Sequence, residues 1–197
     1  MSTILSNRVQ KVKPSATMAV SDKAKELKSQ GIQIVSMGSG EPDFDTPTNI
    51  QKAAIKAIGN GETRYTAADG TPELKKAICE KFQRENGLHY SLNEVMVSCG
   101  GKQVFYNLCQ AILNTGDEVI IPSPYWVSYP DIAILADASP VFIETGIDQD
   151  FKISPEQLEA SITAKTKLLV LNSPSNPTGS VYSKSEIEAL GVVLERY

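Results

Sequence analysis

The sequence predicts an α/β architecture: a mostly parallel sheet with helices on both faces. Two observations carry this. Short apolar runs at Val95–Ser98, Glu118–Ile121, Pro140–Glu144 and Lys167–Leu171 have the length and continuity of strands buried on both sides. Helical segments with their own start signals stand between these runs, and strand–helix alternation builds a parallel sheet.

The elements follow in order. Pro14 to Gln30 reads as a helix closed by Gly31. Ile32 to Ser36 reads as a short strand, followed by the loop Gly38-Ser39-Gly40-Glu41-Pro42-Asp43-Phe44-Asp45. Thr46 before Pro47 marks a helix that runs to about Ile58 and is broken by Gly59 and Gly61. Thr71-Pro72-Glu73-Leu74 opens another helix, closed by Gly87. Helices are expected again over Lys102–Leu113 and Ser128–Ala136. Ser154-Pro155-Glu156-Gln157 and Ser183-Lys184-Ser185-Glu186 are capping boxes, the second opening a helix that runs to the end of the chain.

The bulk numbers narrow the function classes. The chain has 197 residues, 41% hydrophobic and 21% charged, ordinary values for a globular protein of one domain or one plus extra segments. Net charge is −4, with no basic block beyond Arg8, Lys11 and Lys13, so nucleic-acid binding is not suggested. Cys79, Cys99 and Cys109 show no CxxC spacing. They fit reduced thiols in a cytosol, each read as a small buried hydrophobe. The N-terminus lacks the apolar core of a signal peptide, and no run approaches a membrane span. A cytoplasmic protein without a membrane partner is expected. His89 is the only histidine, which argues against a catalytic histidine pair and against most zinc chemistry.

Chemistry concentrates in three loops that follow strands. After Val95–Ser98 comes Cys99-Gly100-Gly101-Lys102-Gln103 and then a helix. Glycines let the backbone approach a ligand, and a helix N-terminus offers free N–H groups, so this is an anion site suited to phosphate. It is not a Walker A loop: Met96 stands where the first glycine belongs, and Gln103 replaces Ser/Thr. Nor is Gly38-Ser39-Gly40 a dinucleotide fingerprint, because Asp43 takes the third glycine position. After Glu118–Ile121 comes Pro122-Ser123-Pro124-Tyr125-Trp126, with the only tryptophan of the chain, an indole able to stack on a planar ligand. After Lys167–Leu171 comes Asn172-Ser173-Pro174-Ser175-Asn176-Pro177-Thr178-Gly179. Its prolines and glycine can continue neither strand nor helix. Parallel strands present these ends on one side, so the loops should converge. Together they ask for a phosphorylated planar heteroaromatic compound.

Ordered motifs strengthen that reading. They are Lys13-Pro14-Ser15-Ala16-Thr17, Gly40-Glu41-Pro42-Asp43-Phe44, Arg64-Tyr65-Thr66, Gly100-Gly101-Lys102-Gln103, Ser123-Pro124-Tyr125-Trp126-Val127-Ser128-Tyr129-Pro130 and Asn172 to Gly179. In this order and spacing the chain resembles the N-terminal part of a fold-type I pyridoxal-phosphate aminotransferase, of the bacterial aspartate or aspartate/prephenate branch. The resemblance covers essentially the whole chain.

It implies the following roles. Gly101 and Lys102 amides, with Gly100 allowing approach, hold the phosphate of pyridoxal 5′-phosphate. Trp126 stacks on its pyridine ring, and Asn176 donates to the ring's phenolic oxygen. Gly40 contacts the substrate α-carboxylate, to which Trp126 and Asn176 also lie close. Tyr65 reaches the cofactor phosphate of a second subunit in a homodimer. Residues 1–46 are then an N-terminal arm and small-domain segment, and 47–197 the first part of a truncated large domain. The family's Schiff-base lysine, its ring-nitrogen Asp and its substrate arginines have no counterpart in this sequence, so no catalytic residue is assigned. The implied function is amino-group transfer between an amino acid, aspartate or glutamate, and a 2-oxo acid in an intact enzyme. The chain alone is expected to be inactive. The alternatives are another fold-type I enzyme, a prephenate aminotransferase or a lyase, and a non-catalytic fragment.

Overall fold

A computed structural model describes residues 4–38, 40 and 42–197. Helices α1 (Asn7–Lys11), α2 (Ala16–Ser29), α3 (Thr48–Gly59), α4 (Pro72–Asn86) and α5 (Gly101–Ile112) precede the first strand. Then follow β1 (Glu118–Ser123), α6 (Ser128–Leu135), β2 (Ser139–Glu144), α7 (Pro155–Ser161), β3 (Thr166–Leu169) and α8 (Lys184–Leu194). Short 3-10 turns lie at Leu92–Glu94 and Ile147–Gln149. The chain divides into two compact units, one of residues 1–14 with 100–197 and one of residues 15–99.

In the first unit the described strands form a parallel sheet in the order β2-β1-β3. β1 is the central strand, and its alternation divides the core. Val119 and Ile121 pack into one cluster with Cys109 of α5 and Ile132 and Ala133 of α6. Ile120 packs into a second with Leu158 of α7 and Leu190 and Val193 of α8. Helices therefore cover both faces of β1, as the continuous apolar run predicts. The connection from β1 to β2 runs through α6 against the first cluster, and that from β2 to β3 through α7 against the second. Since β2 and β3 flank β1 on opposite sides, the carboxyl ends of β1 and β3 border a topological switch point.

In the second unit the expected helices form, though α2 starts at Ala16 rather than Pro14 and α3 runs through Gly59. Ser15 caps α2, accepting from the Met18 N–H, and Thr71 caps α4, accepting from the Leu74 N–H. Gly87 closes α4 in the left-handed region at φ 67°. Gly31, at φ 80°, follows α2. Lys75 is buried and pairs with Asp69, while the Asp69 carbonyl accepts from the Val97 N–H at 3.0 Å.

Two expected strands do not form. Ile32–Ser36 and Val95–Ser98 have no strand assignment and join no sheet among the described residues. Val95 is extended at φ −120° and ψ 128°, but a strand is defined by a partner, which local sequence does not supply. Ser39 and Glu41, within the expected Gly38–Asp45 loop, lie outside the described residues. The last helix stops at Leu194, short of the terminus. Of the thiols, Cys109 is buried, which pushes its pKa up to about 11, but Cys79 is half-buried and Cys99 exposed, contrary to the reading of all three as buried. Among the described residues no helix is long and apolar enough to cross a membrane, and no group of His, Cys, Asp or Glu is placed to hold a metal ion.

The Lys152–Glu186 ion pair ties the start of α8 to the segment before α7, with Nζ 2.7 Å from Oε1. The Lys152 ammonium, then the Ser183 N–H and hydroxyl, pull the Glu186 carboxyl down to about 2 from an ordinary 4.5. A folded-state pKa below the unfolded value stabilises fully above the unfolded value and is lost as pH falls through the folded one. We expect the urea midpoint of the wild type to fall as pH drops from about 4.5 toward about 2. Glu186→Gln should flatten that limb. Parallel curves for the two proteins would show that the pair contributes nothing.

Candidate functional site

The site starts at the head of α5. Gly100 adopts φ 84° and ψ 165°, open to glycine and strained for any side chain. A β-carbon built on Gly100 or Gly101 meets no atom within 4 Å, so neither position is crowded. The N–H groups of Gly101 and Lys102 have no hydrogen-bond partner among the described residues, and the Gln103 and Val104 N–H groups bond back to the Gly100 carbonyl. No side chain caps this helix, and its first turn holds no acidic residue. It does hold Lys102, a cation at the end of the helix dipole that repels cations. Free donors and an unneutralised positive charge are the two features that favour an anion at a helix start.

Lys102 leads to the aromatic loop. Its Nζ lies 5.1 Å from the Trp126 ring centre, a cation–π contact, and no carboxylate among the described residues pairs with it. Trp126 meets Tyr129 edge-on at 5.2 Å and 85°. Tyr129 in turn meets Phe105 of α5 edge-on at 5.0 Å and 72°. Burial pushes the Tyr129 phenol above its usual pKa. This aromatic chain binds the loop after β1 to the body of α5.

Tyr129 also lines a cleft beyond the carboxyl ends of β1 and β3. Ile121, Pro124 and Tyr125 line it on the β1 side, and Asn172 and Asn176 on the β3 side. The Asn172–Gly179 loop is braced from within. Asn172 Oδ1 accepts from the Asn176 N–H at 2.9 Å, the Gly179 N–H donates to the Ser175 carbonyl at 2.8 Å, and the Ser175 N–H donates to the Ser180 carbonyl at 2.9 Å. The prolyl bonds Ser123–Pro124, Ser173–Pro174 and Asn176–Pro177 are cis. The Asn176 carboxamide bonds to no described residue.

Of the residues singled out in the sequence, Gly100, Gly101, Lys102, Trp126 and Asn176 thus belong to one unit. Tyr129 meets Trp126 and Phe105 of α5 there and lines the same cleft as Asn176. Gly40 and Tyr65 belong to the other. Gly40 is exposed, and Tyr65 stands out fully, at 107% exposure, between α3 and α4. Sequence reasoning missed Tyr129 as a linker and Asn172 as a brace. The three-residue step from Trp126 into a helix start was the available signal for Tyr129.

Known proteins share this sequence and this fold. The sequence model of the family described as aminotransferase class I and II matches residues 32–197. The chain belongs to that family. It is 60% identical over 193 residues to the aspartate/prephenate aminotransferase of Nitrosomonas europaea, covering 98% of this chain and 49% of that protein. It is 53% identical to the aspartate aminotransferase of Bacillus sp. (strain YM-2), again covering 98% of this chain and 49% of the other. The solved aspartate aminotransferase of Thermus thermophilus with maleate superposes with a TM-score of 0.95 at 50% identity, over 99% of this chain and 51% of that one. The chain spans about half the length of the curated relatives it matches. The fold is α/β of fold-type I, and aminotransferases of this class use pyridoxal 5′-phosphate.

The backbone at the head of α5 makes a direct prediction. Gly100→Ala should destabilise the chain by roughly 1–3 kcal/mol, the usual cost of a strained backbone position. Gly101→Ala, helical and uncrowded, should change stability little or raise it by up to about 1 kcal/mol. Urea unfolding of the two variants checks this. Equal effects would mean that the Gly100 conformation is not required.

Proposed function

We propose that the chain forms the phosphate- and ring-binding part of a pyridoxal-phosphate aminotransferase acting between aspartate or glutamate and a 2-oxo acid. One observation supports it most: the uncapped head of α5, with two free N–H groups and Lys102 beside the Trp126 ring, opens where a phosphorylated aromatic ring would need both an anion cradle and a flat platform. The Asn176 carboxamide, in a cleft that Tyr129 also lines and bonded to no described residue, would add the polar contact such a ring requires.

In this reading Gly101 and Lys102 donate backbone N–H groups to the phosphate, and the absent β-carbon at Gly100 leaves room for it. The Lys102 charge adds to the attraction at long range. The Trp126 indole stacks against the ring and shields it from water on that side. The Asn176 carboxamide donates to the phenolic oxygen and favours its ionised form. Gly40 meets the substrate α-carboxylate, Trp126 and Asn176 are also assigned to the substrate, and Tyr65 serves the cofactor of a partner subunit in a homodimer. Residues 1–46 act as arm and small-domain segment and 47–197 as the first part of the large domain, in a cytoplasmic enzyme. When bound, the cofactor supplies an electron sink for the substrate α-carbon. Lys102 sits at the phosphate end, so no lysine of this chain is assigned to carry the covalent and proton-transfer steps. Relatives named aspartate/prephenate aminotransferase make prephenate the alternative 2-oxo acid.

Trp126 is the only tryptophan, so its fluorescence reports ligand binding at the site. 4′-Deoxypyridoxine 5′-phosphate lacks the aldehyde and cannot label surface lysines. It should quench Trp126 and bind more tightly than its unphosphorylated form. The chain by itself should give no turnover with aspartate and 2-oxoglutarate. Equal affinity for the two ligands would refute the cradle. Turnover together with borohydride labelling of a single lysine would refute the assignment of roles.

A further inference from the structure

Asn176 sits on a loop whose internal bonds make it a small rigid body, and a rigid body is only as well placed as its external fastenings. Tyr182 provides them. It ends the loop just before the Ser183 cap of α8 and is only 8% exposed. Its backbone N–H donates to Ser173 Oγ at 3.0 Å, gripping the start of the loop. Its hydroxyl accepts from the buried Ile153 N–H at 2.8 Å. Ile153 directly precedes the Ser154 cap of α7 and packs in the same core cluster as Leu158, Leu190 and Val193. The Tyr182 ring also lines the cleft with Asn172 and Asn176. Tyr182 thereby closes the loop on its own start through its backbone N–H and ties it to the helical layer through its hydroxyl.

We propose that Tyr182 is a positioning residue for Asn176, fixing through its hydroxyl where the carboxamide is presented to the ring's phenolic oxygen. This rests on the reading of the α5 head, Trp126 and Asn176 as one pyridoxal-phosphate site. Tyr182→Phe removes only the hydroxyl and keeps the packed ring. It leaves the Ile153 N–H without its acceptor, and the loop loses its link to the segment before α7.

The test uses 4′-deoxypyridoxine 5′-phosphate on the whole chain and reads two quantities. One is affinity by Trp126 quenching. The other is the pH midpoint for ionisation of the bound ligand's phenol by absorbance. Asn176→Ala should raise the midpoint and weaken binding. Tyr182→Phe should move both the same way by a smaller step, with binding weakened roughly two- to tenfold, the range of one lost hydrogen bond. Val193→Ala opens a cavity in the same cluster without touching the loop, so it should lower stability and leave the midpoint in place. If Tyr182→Phe does not fold, Ser173→Ala removes the other fastening and should raise the midpoint. The inference is overturned if Tyr182→Phe, or Ser173→Ala in its place, leaves the midpoint unchanged while Asn176→Ala shifts it. It is equally overturned if Val193→Ala shifts the midpoint as far as Tyr182→Phe. An unshifted Asn176→Ala removes the cofactor reading itself, and this inference with it.

Discussion

The burial of β1 on both faces and both edges is the constraint on which the rest of the first unit depends. Val119 and Ile121 commit one face to α5 and α6, and Ile120 commits the other to α7 and α8. A slip of one residue would exchange the two sets, so the register is held from both sides. β2 and β3 pair with β1 in the same direction. The carboxyl ends of the strands therefore share one edge of the sheet, and the loops carrying Trp126 and Asn176 leave from neighbouring strands. The cleft follows from the topology rather than from any local preference of those loops.

The site is defined by what it leaves unsatisfied. Helices α2, α4, α7 and α8 each begin on a Ser or Thr hydroxyl that satisfies a backbone donor. α5 begins on a glycine, keeps donors free and adds a lysine at the end of the dipole where a cation is unfavourable. Folding energy alone favours the opposite choice at each of these points. An anion in front of Gly101 would reverse the sign of all of them. Trp126 and Asn176 complete the set with a flat surface and an unused carboxamide. Tyr129 and Tyr182 hold these two groups to the layers that β1 organises.

How much of this was legible depended on whether the signal was local. Caps and breakers act within a few residues, so Thr71, Ser154 and Ser183 mark helix starts correctly, and Gly31 and Gly87 mark helix ends. The loops after β1 and β3 were legible from their prolines and glycine, and so was the free helix start at Gly100. The Ile32–Ser36 and Val95–Ser98 runs carry the apolar composition of strands but find no ladder among the described residues, because pairing is decided by distant segments. The contacts that position the site were illegible for the same reason. The Tyr182 hydroxyl reaches Ile153, 29 positions earlier in sequence; the Lys152–Glu186 pair, which fastens α8, likewise spans 34. The exposure of Cys99, against its usual tendency to burial, is likewise set by packing and not by composition.

The central claim is that the head of α5, the Trp126 loop and the Asn176 loop are one ligand site. Amide-resolved nuclear magnetic resonance tests it most directly. On titration with 4′-deoxypyridoxine 5′-phosphate, the backbone signals of Gly101 and Lys102, the Trp126 indole N–H and the Asn176 carboxamide should shift together and saturate at one concentration. Inorganic phosphate should move the Gly101 and Lys102 signals while leaving the Asn176 carboxamide in place. If the Asn176 carboxamide stays still in the first titration while Gly101 saturates, the loops do not form a common site and the account is wrong.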